Sequence, residues 1–95
     1  MTEYSESEIE DRLDDMEGLV YDGDRIRRSY EFDTYMDGVD FVNQVAELAE
    51  DANHHPDIIL AFRKVVVTLK SHDVDEITDR DFDLAGEVDE LFESE

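Results

Sequence analysis

Residues 50–81 read EDANHHPDIILAFRKVVVTLKSHDVDEITDRD. Asn53 suits the left-handed conformation that commonly ends a helix, and Pro56 pushes His55 into an extended conformation. The stretch therefore predicts a helix-to-strand corner at His54-His55. Asp57 to Phe62 and Val65 to Ser71 then read as two strands joined around Arg63-Lys64. With no Gly or Asn in that turn, a single long bent strand remains open. Asp75 or Thr78 starts a last helix, in which Phe82, Ala85, Val88 and Phe92 share one face, flanked by Leu84 and Leu91.

Upstream of the corner lies the strongest helical pattern. Phe41, Val42, Val45, Ala46, Leu48, Ala49 and Ala52 form a broad apolar stripe, with Asp33 or Thr34 as cap and Gly38 near the start. Such a stripe is read as core packing against a sheet. Before it, Leu19-Val20-Tyr21 reads as a brief strand, Asp22-Gly23-Asp24 as a hairpin turn, and Arg25 to Phe32 as the returning strand. Ile26, Tyr30 and Phe32 share a face of that strand; Arg27 and Arg28 read as a solvated or acid-paired surface. Ser7 with Glu10 fits a capping box that opens a first helix carrying Ile9, Leu13 and Met16 and ending near Gly18. The expected fold is α+β in the order α-β-β-α-β-β-α. A four-stranded antiparallel sheet carries the helices on one face, in one domain over residues 1–95.

The composition narrows the function classes. Twenty-nine Asp and Glu oppose eight Lys and Arg, a net charge of −21, while 40% of residues are apolar and periodically placed. The periodicity argues for a folded chain over a disordered one. Acid spread along the whole length points to a surface suited to high salt, as in a halophile's cytoplasm, more than to a mimic of nucleic acid that would act as a decoy for basic proteins. No basic stripe exists to meet phosphates, so no nucleic-acid partner is expected. No apolar run reaches the ~20 residues of a membrane span and the N-terminus is acidic, so the expectation is a soluble cytoplasmic protein. Cysteine is absent. That excludes disulfides and thiolate chemistry.

All three histidines, His54, His55 and His72, fall inside the opening stretch. Each alone reads as ordinary surface, Glu50 and Asp81 say little in so acidic a chain, and Phe62 alone reads as core. A three-histidine metal site is disfavoured because neighbours in an extended segment point to opposite sides, and no helical His pair four apart exists. No nucleophile elbow and no phosphate-binding glycine loop is present. General acid-base chemistry remains, since imidazoles with an ordinary pKa of ~6.5 give and take protons near neutral pH.

The offsets carry more than the single residues. Glu50, three residues, His54-His55-Pro56, five residues, Phe62, nine residues, His72, eight residues and Asp81 form a long gapped signature. It resembles that of the pterin-4a-carbinolamine dehydratases. The resemblance extends through Tyr35, Gly38, Phe41, Val42 and Val45 to Ala49, and downstream through Val65 to Leu69, Ile77 and Thr78. It implies a hydro-lyase that dehydrates a 4a-hydroxytetrahydropterin to the quinonoid dihydropterin, with no metal and no cofactor. By resemblance His54, His55 and His72 are catalytic, and His55, Pro56, Phe62 and Ser71 bind the pterin. Glu50 would orient His54, four residues on, and Asp81 would do the same for His72. The resemblance also implies a homodimer or homotetramer. The rival from another class is a non-catalytic interaction module of the same fold, since some members of the family act as dimerisation partners of transcription factors.

Overall fold

The computed structural model describes residues 4–16, 18–71 and 73–94. Its elements are α1 (Glu6–Asp14), β1 (Val20–Tyr21), β2 (Ile26–Glu31), α2 (Tyr35–Ala52), β3 (Asp57–Ala61), β4 (Lys64–Leu69) and α3 (Asp79–Glu93). The order α-β-β-α-β-β-α is the one the sequence predicts. The strands lie in the order β1-β2-β4-β3, and every neighbouring pair is antiparallel. The helices cover one face of this sheet.

The two central strands explain the layering. On β2, Ile26 and Tyr30 are buried while Arg27, Ser29 and Glu31 are exposed. On β4, Val65, Val67 and Leu69 are buried between half-exposed Val66 and Thr68. This period of two turns one apolar face toward the helices. α2 answers with Gly38, Phe41, Val45 and Ala49, and α3 with Phe82, Leu84, Ala85 and Val88. Phe41 has no exposed surface. Truncating such a ring to alanine typically costs about 3–5 kcal/mol. Gly38 has a packing reason, because a Cβ there would stand 3.2 Å from Leu60 Cδ1 and 3.5 Å from Val65 Cγ2. The α2 stripe is narrower than predicted, since Ala46 and Ala52 are exposed.

Two boundaries differ from the sequence reading. The capping box that forms is Ser5 with Glu8, not Ser7 with Glu10: Glu8 N–H donates to Ser5 Oγ at 3.3 Å and Ser5 N–H to Glu8 Oε1 at 3.2 Å. The segment Ser5-Glu6-Ser7-Glu8-Ile9-Glu10 contains the signature twice, in overlapping frames. The earlier start gives buried Ile9 a full turn of helix before it. At the other end α1 stops at Asp14, and Gly18, at φ +86, turns the chain in the left-handed region available to glycine.

The second concerns residues 57–71. They form a hairpin, with Ala61 paired to Lys64, so the single bent strand is excluded. The turn is Phe62-Arg63, and Arg63 O accepts from Phe32 N–H at 2.9 Å. Phe62 therefore projects outward, 73% exposed, instead of joining the core.

Candidate active site

α2 ends where Asn53 adopts φ 51 and ψ 42, the left-handed conformation expected of it. Its N–H donates to Glu50 O, and His54 N–H reaches back to Ala49 O at 3.1 Å. That closing turn leaves His54 buried, only 7% exposed. His55, extended before Pro56, faces solvent on the opposite side. The adjacent imidazoles thus diverge, as extended backbone requires.

Buried His54 meets Asp81. The separation of His54 Nε2 and Asp81 Oδ1 is 2.6 Å, and Asp81 is fully buried. The carboxylate's other oxygen, Oδ2, accepts from Thr78 N–H at 2.9 Å and from Ser71 Oγ–H at 2.9 Å. Ser71 Oγ also lies 2.7 Å from Thr78 Oγ1. Taken as ionised, the Asp81 carboxylate can only accept, and the protons of its partners follow from that. Ser71 gives its single hydroxyl proton to Asp81, so Thr78 donates to Ser71. Asp81 Oδ1 receives the Nε2 proton of His54. The neutral imidazole then keeps its lone pair on Nδ1.

The local sequence explains why Asp81 stands there. Thr78 is the N-cap of α3 and Asp81 its third residue, so the two form a capping box that is itself buried. Ser71 is held beside it by a β-bridge to Glu76, with Ser71 N–H donating to Glu76 O at 3.0 Å. The turn between them uses Asp75 at φ 56, a left-handed position that is strained for a non-glycine residue. Lys70, buried, pairs with Asp75 at 2.9 Å and with Asp24. Asp73 accepts from Arg80 Nη2 at 2.5 Å, and this bond holds the Asp73 carboxyl below its ordinary range.

The predicted partner of Glu50 is corrected by this geometry. Glu50 hydrogen-bonds His55 Nε2 through Oε2, both side chains being exposed. It does not serve His54 as expected, because the i, i+4 rule holds only inside a helix and Asn53 ends the helix first. Asp81 serves His54. His72, the expected partner of Asp81, lies outside the described residues, as do the facts that would rest on it. Ser71 is brought into the cluster, but its hydroxyl is committed to Asp81 and Thr78 and the residue has no exposed surface. Pro56 lies beside His55 at the start of β3. Phe62 stands at the far end of β3, about 20 Å along the strand at ~3.3 Å per residue, and is not gathered to this cluster within the chain.

A family model described as pterin 4 alpha carbinolamine dehydratase matches residues 2–91 of this chain. The chain belongs to that family. Among its curated pterin-4-alpha-carbinolamine dehydratase relatives, one from Roseiflexus sp. is 43% identical over 90 residues, 95% of this chain and 97% of the relative. A relative from Natronomonas pharaonis carrying the same assignment is 47% identical over 72 residues, 76% of this chain and 78% of the relative. The crystal structure of a transcriptional coactivator/pterin dehydratase from Brucella melitensis is similar at a TM-score of 0.88 and 30% identity, covering 95% of this chain and 98% of that one. A pterin dehydratase-like protein, described as a RuBisCO assembly factor in the alpha-carboxysome, shares the fold at a TM-score of 0.64 and 21% identity, covering 78% of this chain and 86% of that one.

Within this pterin 4 alpha carbinolamine dehydratase family member, the sequence reading treats Thr78 as a helix start only. Its N–H and its hydroxyl both enter the buried network around Asp81. The signal was present: Thr78-x-x-Asp81 has the spacing of a capping box, and a fixed carboxylate is what such a box produces.

Proposed function

We propose that the protein is a hydro-lyase that removes water from a 4a-hydroxytetrahydropterin, with His54 as the base. The observation that carries this reading is the His54–Asp81 contact of 2.6 Å, buried and backed by two further donors to the carboxylate. In the reaction the C4a–O bond breaks, the N5 proton leaves, and a C4a=N5 double bond forms. Hydroxide departs as water once it receives a proton. No electron is gained or lost, so the balance calls for no redox partner.

Asp81 keeps the Nε2 proton of His54 in place and leaves Nδ1 to accept from N5. The resulting imidazolium sits against a carboxylate, which offsets the cost of a buried charge. The acid is a second imidazole. His72 follows Ser71 directly in sequence, and His55 stands on Glu50 at the exposed rim. We assign His55 and Pro56 to holding the pterin ring. Ser71 acts through Asp81, its hydroxyl being committed there. The pterin ring is uncharged, so the acidic surface does not oppose its approach.

Exposed Ile59 and Phe62 on the edge hairpin, and Met36 on α2, are consistent with the homo-oligomer that the family resemblance implies. Among the described residues no helix is long and apolar enough to cross a membrane.

The test is dehydration of a 4a-hydroxytetrahydropterin at molar salt, comparing wild type with His54→Ala, His55→Ala and His72→Ala. Acceleration over the uncatalysed background that His54→Ala abolishes is the expected result. A wild-type rate equal to background removes the enzyme reading and favours the interaction module.

A further inference from the structure

α1 supplies no residue to the His54–Asp81 cluster, yet the residue just before its cap reaches the part of α3 on which that cluster depends. Tyr4 N–H donates to Ile77 O at 3.1 Å, and Tyr4 OH donates to the Asp79 carboxylate. Its ring meets Phe82 edge-on, with centroids 5.1 Å apart and planes at 88°. Tyr4 thus grips residues 77, 79 and 82. These flank Thr78 and Asp81 on both sides.

The grip is itself held. Arg12, in the last turn of α1, donates from Nη1 to Tyr4 OH at 3.3 Å and stacks 4.8 Å from the Phe82 ring centre. The tyrosine hydroxyl therefore accepts from a cation on α1 and donates to an anion on α3. Ser5, the next residue, caps α1, so Tyr4 is tied to a capped helix rather than to a loose end. The hydrogen bond to Asp79 also pushes the Tyr4 hydroxyl's pKa above the ordinary tyrosine value.

The first turn of a helix is where its backbone frays most readily, because its leading N–H groups have no partner within the helix. In α3 that turn carries the carboxylate that orients His54. A frayed first turn would free Thr78 N–H from Asp81 Oδ2, let the carboxylate rotate, and release the imidazole.

We infer that Tyr4 is a positioning residue for His54: by clasping both flanks of the α3 cap it fixes Asp81, and Asp81 fixes the ring. The inference rests on the dehydratase reading only for its effect on turnover; its effect on the imidazole proton is independent of that reading.

The experiment compares wild type, Tyr4→Phe, Asp79→Ala and Asp79→Asn in the full chain at molar salt. The first readout is the downfield proton NMR signal of His54 Nε2–H, assigned by its loss in His54→Ala. The second is kcat and KM for the carbinolamine. Thermal midpoints are recorded so that all variants are compared well below unfolding. Tyr4→Phe keeps the ring against Phe82 and removes only the hydroxyl. It should broaden or lose the signal and lower kcat by about tenfold with KM little changed, as misplacing a catalytic group does. Asp79→Ala should do the same, and Asp79→Asn, whose amide oxygen can still accept from Tyr4, should restore both.

A Tyr4→Phe protein with a lower thermal midpoint but an unaltered signal and kcat would overturn the inference, since that is what a merely structural residue gives. Loss of the signal in Tyr4→Phe, in a protein that shows no dehydration even as wild type, would support the positioning link and refute the dehydratase reading instead.

Discussion

His54 and Asp81, 27 residues apart in sequence, form a buried polar contact that ties the turn after α2 to the first turn of α3, with 7% and 0% of their side chains exposed. The pairing is supported from behind, since Ser71 and Thr78 occupy the carboxylate oxygen that His54 does not. Buried polar groups gain little when all are satisfied and cost much when one is lost. The network is thus a likewise sensitive point of the fold.

Ser71→Ala removes the hydroxyl that Asp81 and Thr78 share, leaving a buried acceptor and a buried donor with one partner fewer. We expect a loss of about 1–3 kcal/mol in urea unfolding. The same change at exposed Ser29, on the open face of the sheet, should fall within about 0.5 kcal/mol of wild type.

Glu50→Gln acts on the exposed rim. Exposed ion pairs are worth about 0–1 kcal/mol, so the unfolding midpoint should hardly move. If His55 holds the pterin, the effect will appear as a rise in KM with kcat nearly unchanged, measured by steady-state dehydration.

How much of this was legible in the sequence depends on which interactions are local. Asn53, Pro56 and the capping residue Thr34 act on their own neighbours, and the helix-to-strand corner they predict is the one that forms. The strand periods gave the sheet. The partner of Glu50 departs from the sequence reading because it is set beyond the end of the helix. Glu50 pairs with His54 only if the helix continues past Asn53, and the His54–Asp81 contact, between residues 27 apart, leaves no local signal. The fold instead brings the end of α2 against the start of α3. Phe62 differs for another reason: residue type taken alone suggests core, but a two-residue turn places its side chain outside the pleat, and the pterin-binding role that the resemblance implies is a separate question.

Alkaline pH should destabilise the protein through Tyr30. Burial, then its hydrogen bond to Asp89 at 2.5 Å, raises the Tyr30 pKa far above the ordinary value near 10. A group whose folded pKa is raised contributes stability fully below its unfolded pKa and loses it as pH climbs from there toward the folded value. Unfolding free energy should therefore decline above about pH 10, and less steeply in Tyr30→Phe. At the acid end Asp22, Asp24 and Asp73 have lowered pKa values, through backbone hydrogen bonds from Arg25 and Asp24, a side-chain bond from Lys70 and one from Arg80 respectively. Their contribution is present above the ordinary carboxylate range and is lost as pH falls below it.

Salt should stabilise the fold. With a net charge of −21 the folded chain repels itself, and the Debye length shrinks from about 10 Å at 0.1 M to about 3 Å at 1 M. The exposed ion pairs, such as Arg27–Asp22 at 2.9 Å, weaken in salt but contribute little. Raising KCl from 0.1 M to 2 M should lift Tm by at least about 5 °C, since ~1 kcal/mol shifts a domain of this size by about 4–8 °C. A Tm that falls with salt would show that ion pairing outweighs self-repulsion.

The central claim is that Asp81 holds His54 in the protonation state the reaction needs, and Asp81→Asn tests it most directly. Thr78 N–H and the Ser71 hydroxyl demand an acceptor, so the amide oxygen will face them and its NH2 will face His54. Nε2 must then accept, and the ring proton moves to Nδ1, the atom that should be taking a proton from the pterin. The measurement is kcat for dehydration of a 4a-hydroxytetrahydropterin by a folded Asp81→Asn protein at molar salt. A fall of about 100-fold or more, approaching that of His54→Ala, is predicted. A kcat within about twofold of wild type, where the wild type itself is active, would contradict the account.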